Sequence, residues 1–130
     1  MTQAAVPVEN IVWIKKGEGI RASGMIPQAA EFFQDHFPAF PVLPGVLALD
    51  ILKQTAEMYL REELGQAARF SLLSVRNVRF SAYLKPGSRW ESELKLISGE
   101  ARDVTEWTAR LFYEDRPAVS ARLVMKKNPA

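Results

Sequence analysis

The sequence contains no cysteine and a single histidine. Without thiols there is no disulfide framework and no thiolate nucleophile. One histidine also excludes a histidine-rich metal site within one chain. Long apolar runs are missing too. The run near the middle, Val46 to Leu49, stops at Asp50, far short of the ~20 residues of a membrane span. The opening residues, MTQAAVPVEN, lack a basic stretch followed by an apolar core. No secretory signal is therefore expected, and the expected location is cytoplasmic. Nor does one sign of charge dominate: 17 Lys and Arg stand against 15 Asp and Glu, a net charge of +2. The two signs are interleaved, so nucleic-acid binding is not expected, although an acidic protein partner would be tolerated.

What is present is an ordinary globular composition, 48% hydrophobic and 25% charged over 130 residues. That length predicts one domain, residues 1–130, with a real core. No repeat, low-complexity tract or linker interrupts it. IVWIKKGEGIRASGMI (residues 11–26) predicts two short strands around Lys-Gly-Glu-Gly. Residues 28–43 are punctuated by proline, with a helical turn expected over 28–33. Pro44 suits the first position of a helix, and Gly65 suits its stop, with the helix running to about residue 63. Its first half, VLALDIL, is apolar on almost every face and predicts a segment enclosed by protein; the second half, KQTAEMYLREEL, is amphipathic and is expected to emerge toward solvent.

Beyond Gly65 the period becomes that of strands. Trp90, Ser92, Leu94 and Leu96 alternate with Glu91, Glu93 and Lys95, and Val119, Ala121, Leu123 and Met125 alternate with Ser120, Arg122 and Lys126. Residues 103–114 predict a further strand. Between Arg69 and Phe80 the apolar phase slips from Leu73 and Val75 to Val78 and Phe80, as a β-bulge near Arg76 or Asn77 would produce. The economical assembly is an α+β domain: one long helix wrapped by a curved antiparallel sheet.

Chemistry concentrates in FFQDHFPAFPVLPGVLALD (residues 32–50), which holds the one histidine, three of the eight prolines and an acid closing an apolar run. Taken alone, His36 reads as a loop histidine satisfied by a carbonyl, and Asp50 as a carboxylate that finds a buried partner or sits at a solvent-facing gap. A carboxyl among apolar neighbours either finds a partner or takes up a proton, and in the protonated form it can serve as a general acid. Pro44-Gly45 opens the helix, so free backbone N–H groups lie near Gly45 at the positive end of its dipole. A histidine base, a carboxylic acid and such a donor are the parts needed to remove a proton beside a carbonyl and expel a β-substituent. Gln54, one turn after Asp50, is placed to orient it.

HFPAFPVLPGVLALDILKQ resembles the active-site segment of the 3-hydroxyacyl-acyl-carrier-protein dehydratases, whose pattern is roughly HFPGxPxMPGVLxxE/DxxxQ. VRNVRFSAYLKPGSRW resembles that family's strand and Pro-Gly turn after the central helix, and TARLFYEDRPAVSARLVM its closing hairpin. The likeness runs from about residue 30 to about residue 126. It implies the hot-dog fold, a sheet wrapped around one central helix. It also implies that His36 is the catalytic base and Asp50 the acid that protonates the departing hydroxyl. Gly45 would offer its N–H to the thioester oxygen, with Phe37, Pro44, Val46 and Gln54 around the substrate. No metal or protein-bound cofactor is implied, because the substrate carries its own phosphopantetheine on acyl carrier protein or coenzyme A. A homodimer with shared active sites is implied too, and assembly into higher oligomers or a heterodimer stays open.

The sequence also departs from that pattern. Ala39 replaces a glycine, Leu43 a methionine, and Lys53 a small apolar residue, while a PHRYPFLLVDR-like N-terminal stretch is absent. The acid is Asp, as in the branch that can also isomerise the double bond, which sets the carboxyl back by ~1.5 Å relative to Glu. Two other readings therefore stay open: a non-catalytic hot-dog subunit or acyl-binding protein, motivated by Ala39 and Lys53, and a hot-dog acyl thioesterase. Trp13, Trp90 and Trp107 fall in strand patterns and are expected in the core or an interface. Arg69, Arg76, Arg79, Lys85 and Arg89 read either as solvated charges or as a face for an acidic carrier protein.

Overall fold

The computed structural model describes residues 6–27, 45–99 and 103–129. Strands β1 (Asn10–Lys15) and β2 (Gly19–Met25) form the expected antiparallel hairpin around the glycine turn. Helix α1 (Gly45–Leu64) matches the expected segment closely at its described end. It stops because Gly65 adopts a φ of +109°, a left-handed conformation that side chains resist. The Gly65 N–H still reaches the Arg61 carbonyl at 2.9 Å, which caps the last turn. The helical turn expected over residues 28–33 lies outside the described residues.

Four strands follow the helix: β3 (Phe70–Phe80), β4 (Arg89–Ser98), β5 (Val104–Tyr113) and β6 (Arg116–Lys127). The six strands form one antiparallel sheet in the order β1-β2-β4-β5-β6-β3. Helix α1 lies across its inner face, chiefly on β4, β2 and β5. This is the hot-dog arrangement that the sequence implied. Alternation places Trp90, Leu94, Trp107, Leu111, Leu123 and Met125 under the helix, all 0% exposed. The Tyr59 ring meets Trp107 edge-on, with centroids 5.0 Å apart. Trp13, by contrast, is only half-buried, and the Lys15 ammonium lies 5.9 Å from its ring centroid. No helix among the described residues is long and apolar enough to cross a membrane.

Burial along the helix differs from the expectation. Its buried residues, Ala48, Ile51, Leu52, Thr55, Ala56, Tyr59 and Leu60, form one stripe that runs into the second half. In the first half Val46 is 72% exposed, while Leu47 and Leu49 are half-buried. Among the described residues the sheet touches one side of the helix, so a sequence apolar on almost every face does not become all-round burial there. Strand β3 departs in a smaller way. The expected bulge is there, as a register shift between Arg76 and Arg79 with Asn77 at φ 53°. A second shift lies between Leu72 and Ser74, and it leaves Leu73 54% exposed.

One polar contact joins helix to sheet inside the core. The Thr55 hydroxyl donates to the Ile51 carbonyl at 2.9 Å and accepts from the Ser92 hydroxyl at 2.8 Å, both residues being 0% exposed. Thr55→Val is expected to destabilise the fold by about 1–3 kcal/mol, because it strands the Ser92 hydroxyl in an apolar place. Adding Ser92→Ala should recover most of that loss. Chemical denaturation of the three variants measures it, and a double variant no better than Thr55→Val would show that packing rather than the hydrogen bond carries the effect.

Candidate active site

His36, Phe37 and Pro44, like Ala39, lie outside the described residues. Gly45, Val46, Asp50 and Gln54 all lie on α1, and the structure brings two of them into contact. Gln54 Nε2 donates to Asp50 Oδ2 at 3.0 Å, the pairing expected one helical turn apart. At 3.6 residues per turn, Asp50 and Gln54 fall roughly opposite the centre of the buried stripe. The carboxyl is therefore half-buried and turned away from its own sheet.

The charges beside it are committed elsewhere. Arg61 Nη2 pairs with Glu57 Oε2 at 3.1 Å, and Lys53 Nζ stands 4.0 Å from Glu57 Oε1. Lys53, which the sequence singled out, is thus directed along the helix toward Glu57. Among the described residues no cation lies within ion-pair distance of Asp50. Its partner is a neutral amide, which orients the carboxyl without adding charge.

Gly45 is the first residue of α1, where backbone N–H groups lack intrahelical acceptors and the dipole is positive. The ring of Phe80, at the end of β3, closes over this position. A Cβ added at Gly45 would sit 2.9 Å from Phe80 Cζ, so glycine is what admits the ring. Phe80 itself is 51% exposed, so it lies at the mouth of this end of the helix rather than in the core. Val46 points into solvent beside it.

Two further contributors come from the chain's N-terminal end. Val8 N–H donates to Gln54 Oε1 at 3.1 Å, and Gln54 Nε2 donates to the Val6 carbonyl at 2.9 Å. Neither residue was legible as part of the site, since every residue type offers the same backbone groups. Phe80 was legible only as an apolar strand position. Arg69, Arg76, Arg79, Lys85 and Arg89 are all exposed. A cleft of about 440 Å³, lined by Leu64, Ala68, Arg69 and Lys127 among others, opens at the C-terminal end of α1, away from Asp50.

Comparison with known proteins agrees with this fold. Residues 13–116 match the ApeI-like family, described as ApeI dehydratase. The 3-hydroxyacyl-[acyl-carrier-protein] dehydratase FabZ of Oceanobacillus iheyensis is 36% identical over 93 residues, covering 69% of this chain and 65% of that protein. The chain thus spans just under two thirds of that relative's length. FabZ of Albidiferax ferrireducens is 31% identical over 120 residues, 89% of this chain and 79% of the relative. Among solved structures, the dehydratase heterocomplex ApeI:P from Xenorhabdus doucetiae superposes with a TM-score of 0.79 at 17% identity, covering 99% of this chain and 87% of that one. The fluoroacetyl-CoA thioesterase FlK shares the fold as well, with a TM-score of 0.73 at 14% identity over 89% of each chain. With its helix-on-sheet fold and a match spanning most of its length, the chain belongs to the ApeI-like dehydratase family.

Proposed function

We propose that the protein is a hydro-lyase that converts a 3-hydroxyacyl thioester into the trans-2-enoyl thioester and water, in the building of a fatty acid or related acyl chain. The observation that carries this reading is Asp50. It is a carboxyl on the helix that opens at Gly45, turned away from its own sheet and held by a neutral amide. His36 takes the proton from the carbon next to the thioester carbonyl. The charge that develops on the thioester oxygen meets the Gly45 N–H at the helix N-terminus. Asp50 gives its proton to the 3-hydroxyl as the C–O bond breaks, so the hydroxyl leaves as water. Passage of the proton from His36 back to Asp50 resets the pair.

The substrate brings its own phosphopantetheine arm, on acyl carrier protein or coenzyme A, so the reading requires no metal or protein-bound cofactor. The names of the FabZ relatives favour the carrier protein. The working unit is proposed to be a homodimer in which His36 of one chain and Asp50 of the other meet. The fold shared with FlK supports a second reading, an acyl thioesterase. Incubation with 3-hydroxyacyl thioesters on both carriers separates the outcomes. Loss of water to an enoyl thioester, followed by mass spectrometry, is the expected result. Release of the free acid would establish the thioesterase, and an unchanged substrate on both carriers would leave a binding or partner subunit.

A further inference from the structure

A carboxamide is nearly symmetric in shape, so what it offers a neighbour depends on which end faces it. For Gln54 that choice is made by residues 6–8. In an extended chain the carbonyl of one residue and the N–H two residues on point to the same side. The Gln54 amide pairs with the Val6 carbonyl and Val8 N–H as one residue of a neighbouring parallel strand would. Turned round, it would set donor against donor at Val8 and acceptor against acceptor at Val6. The segment is itself anchored: Val6 is 1% exposed, Glu9 N–H donates to the Ser23 carbonyl at 3.0 Å, and Met25 N–H donates to Glu9 Oε2 at 2.6 Å. Pro7, between the two valines, has a fixed φ and adds no donor of its own.

The amide nitrogen has two hydrogens. One is taken by Val6, and the other is directed at Asp50 Oδ2. We infer that the backbone of residues 6–8 sets the chemistry of Asp50 by locking Gln54 as a donor to Oδ2, which leaves Oδ1 as the oxygen that carries and delivers the proton. The inference rests on the proposed role of Asp50 as general acid. Gln54, Val6 and Val8 are positioning residues in it. The proton moves from Oδ1 to the leaving hydroxyl as the C–O bond breaks, and the carboxylate that results already holds an N–H on Oδ2.

Two variants test it. Val8→Pro deletes one N–H while keeping Asp50 and Gln54. Gln54→Glu keeps the acceptor for Val8 and removes the donor to Asp50. In each, kcat for dehydration is expected to fall about 10²-fold, the scale of a misplaced reacting group. KM should stay within about twofold, as for an interaction made in the transition state. Side-chain amide spectra from ¹⁵N-correlation NMR report the lock without turnover: the two Gln54 protons should be displaced from the shifts of a free glutamine amide in the wild type and return toward them in Val8→Pro. Wild-type kcat in both folded variants, or wild-type protons at the shifts of a free glutamine amide, would overturn the inference while leaving Asp50 its role. If the wild type displaces those protons but dehydrates no 3-hydroxyacyl thioester, the general-acid reading fails and the assignment to Oδ1 goes with it. Should Val8→Pro not fold, Gln54→Glu decides alone.

Discussion

Asp50→Asn and His36→Ala are each expected to lower kcat for dehydration by about 10²–10⁴-fold, the usual contribution of a positioned acid or base. The Asp50 substitution is the cleaner of the two. Asparagine fills nearly the same volume and can still accept the Gln54 hydrogen bond, now 3.0 Å to Oδ2. It lacks only the transferable proton. Circular dichroism and the melting midpoint should therefore hardly move, and the loss should fall on turnover. A folded Asp50→Asn protein that keeps kcat within about tenfold of the wild type would remove Asp50 from the chemistry. His36→Ala at wild-type rate would do the same for the base.

Mixing those two inactive proteins is expected to restore activity, because each contributes what the other lacks. In a two-fold dimer with shared sites, statistical exchange makes about half the dimers mixed, and each mixed dimer has one intact site of two. Roughly a quarter of wild-type activity should return. The structural motive is the position of Asp50 on the helix face opposite its own sheet, beside a Val46 that is 72% exposed. Exchange is followed by native mass spectrometry of differently labelled chains. Mixed dimers without activity would show that His36 and Asp50 act within one chain.

Much of this architecture is legible in the sequence. The period of two in Trp90, Ser92 and Leu94 could only suit a strand with one buried face, and those three residues are indeed 0% exposed. The slip of phase near Arg76 could only suit a bulge, and Asn77 with its positive φ is where it falls. Gly65 ended the helix for the conformational reason a sequence can encode. Other features were not legible. The largely apolar VLALDIL showed what needs a cover but not what supplies it, and among the described residues the enclosure expected around the first half of α1 is missing. The shift at Leu72 and Ser74 was hidden because leucines on both phases keep the pattern apolar. At the site, the spacing of Asp50 and Gln54 announced their contact. The contribution of Val6 and Val8 could not be announced, since a backbone carbonyl and N–H leave no trace in the choice of side chain.

The two interruptions of β3 also bear on how copies of this protein can meet. Among the described residues β3 is an outer strand of the sheet, and it exposes Leu73, Val78 and Phe80. A straight edge with such side chains would invite indefinite stacking, one sheet onto the next. A strand that changes register at Leu72/Ser74 and again at Arg76/Arg79 is bent and twisted in two places. Only a surface of matching curvature can follow it over its whole length. These two kinks thus favour closed assemblies over fibres, and ironing them out should make the protein prone to aggregate.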